Sequence, residues 1–110
     1  SSPQHQLQKY YPKIYRKLVE RQYEFMREFV VCNLKKGIEL GLFRQELDVS
    51  FISRLYFMGM VGIKNTELFP RAVGNMDELI TDYLDYHLRA IVTPRGLEML
   101  KECLAKQLKK

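Results

Sequence analysis

Gly37-Ile38-Glu39-Leu40-Gly41-Leu42-Phe43-Arg44-Gln45-Glu46-Leu47-Asp48, with the apolar run Val49 to Ile63 behind it, decides how this chain folds. A long amphipathic pattern ends at the two glycines, which enter the left-handed conformation of a helix terminus without a Cβ clash. Asp48 carries a short side-chain oxygen that accepts hydrogen bonds from the first free amides of a new helix. Between Phe51 and Ile63 only Ser53 and Arg54 are clearly polar. A helix that is apolar nearly all round must be covered on more than one face. A chain of 110 residues has little material for that cover, and the expected cover is a second copy of itself.

Working outward, Pro12 begins a helix expected to run to about Leu40, since proline is tolerated in a first turn. At 3.6 residues per turn its charged side holds Lys13, Lys17, Glu20, Arg21, Glu24, Arg27, Glu28 and Lys35. The other half holds Ile14, Tyr15, Leu18, Val19, Phe25, Met26, Phe29, Val30 and Cys32. Gln22 and Asn33 fall within that apolar half. A buried amide without partners costs about 1–3 kcal/mol. Either neighbouring helices or water satisfy them, or they orient a mostly apolar ligand in a cavity. The second reading makes Tyr15, Gln22, Met26, Phe29 and Asn33 the candidate ligand-binding set, for a small apolar or amphipathic effector. Ahead of this helix, Ser2-Pro3 fits a cap and first turn of a short helix carrying Leu7, Tyr10 and Tyr11.

From Val49 to about Asn65 the strongest stripe is Ile52, Leu55, Tyr56, Gly59, Gly62 and Ile63. The opposite side mixes Ser53 and Lys64 with Phe57, Met60 and Val61, a composition typical of an interface. Thr66 to Asn75 reads as a loop around Phe69-Pro70 and Gly74. Asn75, with Glu78 three residues on, reads as the cap of a helix from Met76 to Val92. Its polar strip of Glu78, Asp82, Asp85 and Arg89 is narrow, and its apolar arc is wider than one contact requires. Two consecutive helices with surplus apolar surface point to a homodimer. Its expected interface is Phe57, Met60, Val61, Tyr83, Tyr86, His87 and Ala90. Thr93-Pro94 opens a last helix, with Leu97, Leu100, Leu104 and Leu108 expected to dock on the bundle and a Lys-rich end that frays.

The net charge of +5 is concentrated in the first 36 residues and in Lys101 to Lys110. Glu20, Glu24 and Glu28 are interleaved with the early bases, which reads as a solvated helix face rather than a phosphate track. Cys32 and Cys103 lie inside apolar patterns and read as buried free thiols of a reducing compartment. No signal-peptide pattern and no membrane-spanning run occurs, so the expected location is cytoplasmic, without membrane partners. The absence of an initiator Met is expected of a fragment or of a processed chain. His5 and His87 are the only histidines, far apart in sequence, and His87 reads as packed or interfacial. No glycine-rich phosphate loop, metal-ligand spacing or nucleophile–base pair is present. No catalytic residue, metal site or cofactor is expected.

The segment Gly37, Gly41, Phe43, Arg44 and Glu46, with Leu47 and Asp48 after it, resembles the TetR/AcrR family of bacterial transcriptional regulators. Similar, too, are Leu7 to Pro12, Asp48 to Leu55 and Tyr86 to Leu97. The resemblance implies an all-α antiparallel bundle of about five helices, with the architecture of the family's C-terminal effector-binding domain. It also implies homodimerisation through a four-helix interface built from Val49–Asn65 and Met76–Val92, and a pocket partly lined by Pro12–Leu40. The family's N-terminal helix-turn-helix is missing from the sequence, so operator DNA would be a partner only through that absent domain. The rival expectation is a helical protein–protein interaction module without a small-molecule ligand.

Overall fold

A computed structural model of the chain describes residues 3–108. It is all-α, with five helices: α1 (Pro3–Tyr10), α2 (Pro12–Glu39), α3 (Val49–Gly62), α4 (Met76–Ile91) and α5 (Pro94–Leu108). A 3-10 turn, Arg71–Val73, lies in the α3–α4 connection. The expected Ser2 cap and the terminal Lys109 and Lys110 lie outside the described residues, and the Leu108 side chain is likewise outside the description.

The glycine-rich stretch forms a Schellman terminus. The Leu42 amide donates to the Gly37 carbonyl at 2.9 Å and the Gly41 amide to the Ile38 carbonyl at 3.0 Å. Gly41 takes the positive φ of 76° that this motif requires. Gly37 has a different role: it is buried inside α2, and the Phe43 ring occupies the space a Cβ would need. The expected caps are in place. Asp48 Oδ1 accepts from the Phe51 amide at 3.1 Å, and Asn75 Oδ1 from the Glu78 amide at 2.9 Å.

The helices alternate in direction. Tyr15 and Val19, early in α2, line the same cleft as Val61 and Gly62, late in α3. On α4, Tyr83 lies against Gly59 and His87 against Tyr56, so α4 runs back along α3. The α2–α3 connection is stitched to the α4–α5 connection by an isolated antiparallel bridge between Phe43 and Val92. The Arg44 amide donates to the Ile91 carbonyl and the Thr93 amide to the Leu42 carbonyl, both at 2.9 Å. Thr93 Oγ1 donates to the Gly41 carbonyl at 2.7 Å and accepts from the Gly96 amide at 3.1 Å, which starts α5. Gly96 is buried where a Cβ would meet the Leu42 carbonyl. Beyond that root α5 makes no extended pairing with another helix among the described residues. Leu97 and Leu100 are half-buried while Met99 and Leu104 are exposed, so the expected docking holds only at the first turns.

Among the described residues the buried apolar side chains are Leu34, Phe57, Ile63 and Ile91. That is a small core. The chain exposes 8841 Å², whereas a compact monomer of its 13.1 kDa exposes about 6,400 Å². Its radius of gyration is 16.2 Å against about 13 Å for a compact domain of this length. The surplus of about 2,400 Å² exceeds one side of a standard protein interface, about 800 Å². The arrangement is open, and large apolar side chains such as Phe25, Phe29, Met58 and Tyr86 remain at its surface.

Two expectations are corrected. Cys32 and Cys103 are exposed, not buried. On α3, the mixed side assigned to a partner is the side that α2 covers. Ser53 is 2% exposed, and Phe57 is buried against Tyr23 with ring centroids 5.3 Å apart. Burial of the serine is cheap because its hydroxyl donates to the Ser50 carbonyl of its own helix at 2.9 Å.

Candidate functional site

Three features have the geometry of working surfaces. The first is a cleft of about 560 Å³ between α1, the start of α2 and the end of α3. Tyr15, Val19, Phe57, Met58 and Val61 supply its apolar part; His5, Gln8, Lys9, Lys64 and Glu67 are among its polar lining. Segment 64–67 is held by Asn65, whose Oδ1 accepts from the Glu67 amide at 2.9 Å. His5 Nδ1 lies 3.7 Å from the Glu67 carboxylate.

The second is a smaller cavity of about 320 Å³ under the C-terminal half of α2, lined by Phe29, Asn33, Leu34, Tyr56, Leu84 and His87 among others. Its wall is an aromatic stack. Tyr56 lies 5.8 Å from Tyr83, nearly parallel, and 4.6 Å from the His87 ring. Tyr83 donates its hydroxyl to the Tyr56 carbonyl at 2.8 Å and lies over Gly59, where no Cβ would fit. Burial pushes the Tyr56 and Tyr83 phenols up, with the neighbouring phenols adding to the shift of Tyr83. The same burial pushes the His87 imidazole down. All three groups are held in their neutral forms near neutral pH.

The third is an outward apolar face shared by α3 and α4. Phe51, Leu55 and Met58 repeat at i, i+4 and i+7 and are exposed, Met58 at 64%. Leu79, Tyr86 and Ala90 occupy an equivalent row on α4, with Tyr86 72% exposed. The two rows share one side. On α3 the row lies across the helix from Ser53 and Phe57, which face α2. On α4, Leu84, Leu88 and Ile91 flank the α3 contact toward α2, and Tyr86 and Ala90 flank it on the far side.

The expected ligand set is thus divided. Tyr15 lines the larger cleft, Phe29 and Asn33 line the smaller cavity, Met26 is half-buried, and Gln22 is exposed. Phe25 and Phe29, 76% and 71% exposed, stand with Ile14 and Leu18 on a second apolar row of α2, of which Phe29 also edges the smaller cavity. Of the expected interface residues, Tyr86 and Ala90 stand on the outward face. Tyr83 and His87 are engaged with Tyr56, Phe57 is core, Val61 lines the cleft, and Met60 is half-buried.

Sequence reading passed over Tyr23, which meets Phe57 edge-on and carries the Arg54 guanidinium 5.3 Å over its ring. It also passed over the polar rim of the cleft, whose members come from α1 and the loop after α3 and share no sequence motif. No family model, curated protein or solved structure matches this chain.

Proposed function

We propose that this chain is the ligand-sensing and homodimerisation domain of a TetR-type bacterial regulator, without catalytic activity. The observation that carries the reading is the outward apolar face of α3 and α4. Two such faces packed about a two-fold axis form a four-helix interface in which the same patch serves both copies. The cleft of about 560 Å³ falls in the size range of small-molecule sites. Met58 belongs to both features, lining the cleft and standing on the outward row. A ligand that prefers one placement of α3 thereby biases the arrangement of the dimer, which is a population shift. In the regulator this would reset the spacing of helix-turn-helix units lying outside the present sequence.

The test is sedimentation equilibrium of the chain and of Leu55→Arg and Tyr86→Arg. A dimer that each substitution dissociates, with helicity unchanged, is the expected result. A wild-type monomer throughout the micromolar range overturns the reading. The second row of α2, with Phe25 and Phe29 exposed, favours one further reading, a helical protein–protein interaction module. That reading requires a monomeric chain in which Phe25→Arg abolishes capture of a purified partner.

A further inference from the structure

The cleft between α1, α2 and α3 has a charge pattern as well as a volume. Its floor is apolar: Tyr15, Val19 and Val61 are half-buried and Phe57 is buried. Its lining includes two lysines, Lys9 from the last turn of α1 and Lys64 just past the end of α3. The carboxylate in the lining, Glu67, faces His5. Neither lysine forms an ion pair among the described residues; Lys9 lies 5.4 Å over the Tyr10 ring. Their charges exceed what the cleft itself neutralises.

From this pairing of an apolar floor with unneutralised lysines we infer that the cleft takes a single-chain amphiphile with an anionic head, of the alkyl carboxylate class. The alkyl chain lies on Tyr15, Val19, Phe57, Met58 and Val61, and the carboxylate lies toward Lys9 and Lys64. An alkyl chain suits the floor because the Val19, Phe57, Met58 and Val61 side chains offer it apolar surface and no hydrogen-bonding group. An anion suits the rim because lysine ammonium groups donate charge-assisted hydrogen bonds to carboxylates. A cationic head meets like charge there. The negative end of α3 does not cancel this preference. The Gly59, Val61 and Gly62 carbonyls already accept from the Ile63, Lys64 and Asn65 amides, at 2.9, 3.2 and 3.0 Å. The inference rests on the ligand-sensing reading and names its ligand class.

The experiment is calorimetric titration of the whole chain with dodecanoate, dodecan-1-ol and dodecyltrimethylammonium, the two ions kept below their micellar concentrations and the alcohol below its solubility limit, with sedimentation on the same samples. One dodecanoate per chain is expected, bound roughly 10-fold more tightly than the alcohol, a difference of about 1.4 kcal/mol. The trimethylammonium probe should bind more weakly than either. The double variant Lys9→Gln/Lys64→Gln should bring dodecanoate down to the affinity of the alcohol. Lys35→Gln, on the charged side of α2, should change nothing, and Val61→Trp should fill the floor and abolish binding of all three. Equal affinity for acid and alcohol, or an unchanged double variant, overturns the inference. So does co-pelleting with phosphatidylglycerol vesicles without binding of monomeric dodecanoate, which would assign the lysines to a membrane surface. No binding by a chain that sediments as a dimer removes this ligand class and leaves the sensor reading standing; no binding by a monomer removes both.

Discussion

Substituting Gly59 by Ala sets two effects of opposite sign against each other, and the structure says which wins. Gly in a helix interior costs about 1 kcal/mol relative to Ala, so in isolation the substitution stabilises α3. However, the new methyl would collide with the Tyr83 ring and hydroxyl. The ring has little room to retreat, because it is stacked on Tyr56 and its hydroxyl donates to the Tyr56 carbonyl at 2.8 Å. Overpacking of this kind costs about 1–3 kcal/mol, and a broken hydrogen bond adds about 1 kcal/mol. The expected net effect is a loss of roughly 1–3 kcal/mol. Urea unfolding followed by far-UV circular dichroism measures it, at one protein concentration because association shifts apparent stability. The decisive control is the Tyr83→Leu background, where the obstacle is gone and Gly59→Ala should stabilise by up to about 1 kcal/mol. If Gly59→Ala stabilises the wild-type chain by a similar amount, Tyr83 does not lie over Gly59 and the α3–α4 packing described above is wrong.

Thr93→Val keeps the shape of the side chain but removes its bond to the Gly41 carbonyl and the cap on Gly96; a loss of about 1–3 kcal/mol is expected in the same urea assay, largely restored by Thr93→Ser. The Tyr23 hydroxyl is buried without a hydrogen-bond partner among the described residues. Tyr23→Phe should therefore leave stability unchanged or raise it, and a drop of about 1 kcal/mol would reveal a partner. His87 has a folded-state value below the ordinary imidazole 6.5, so the unfolded chain takes up its proton first as pH falls. Stability from neutral His87 is complete well above 6.5 and declines as pH drops through and below that value. Thermal melts across that window should show a shallower decline for His87→Gln, and identical profiles would refute the burial of this group.

The helical boundaries were legible in the sequence because they depend on local chemistry. Asp48 and Asn75 cap the helices they were expected to cap, Pro12 opens α2, and Gly41 closes it with a positive φ. Each depends on groups within a few residues, so spacing alone determines it. The division of the apolar faces was not legible. A helical wheel reports which residues share a side, not which neighbour covers it, and α3 has apolar residues on every side. Ser53 marked one side as polar, yet its hydroxyl closes on the Ser50 carbonyl and that side is the buried one. Phe57 followed it inward, leaving Phe51, Leu55 and Met58 exposed.

The candidate site divides in the same way. Tyr15, Phe29 and Asn33 were grouped on α2 as one set, but they line two separate cavities because Tyr15 lies about 21 Å or more along the helix from the other two. Lys9, Lys64 and Glu67 carried no local signal, since only the return of α3 beside α1 brings them to one rim. The sequence by itself determined an all-helical chain, its helix ends and its excess of apolar surface, all of which follow from composition and short-range hydrogen bonding. Only the tertiary structure decided which apolar side became core, which stayed outward and where the polar rim closed. Those outcomes depend on which helices come to lie side by side, and residues as distant in the chain as His5 and Glu67 or Gly41 and Thr93 meet only once they do.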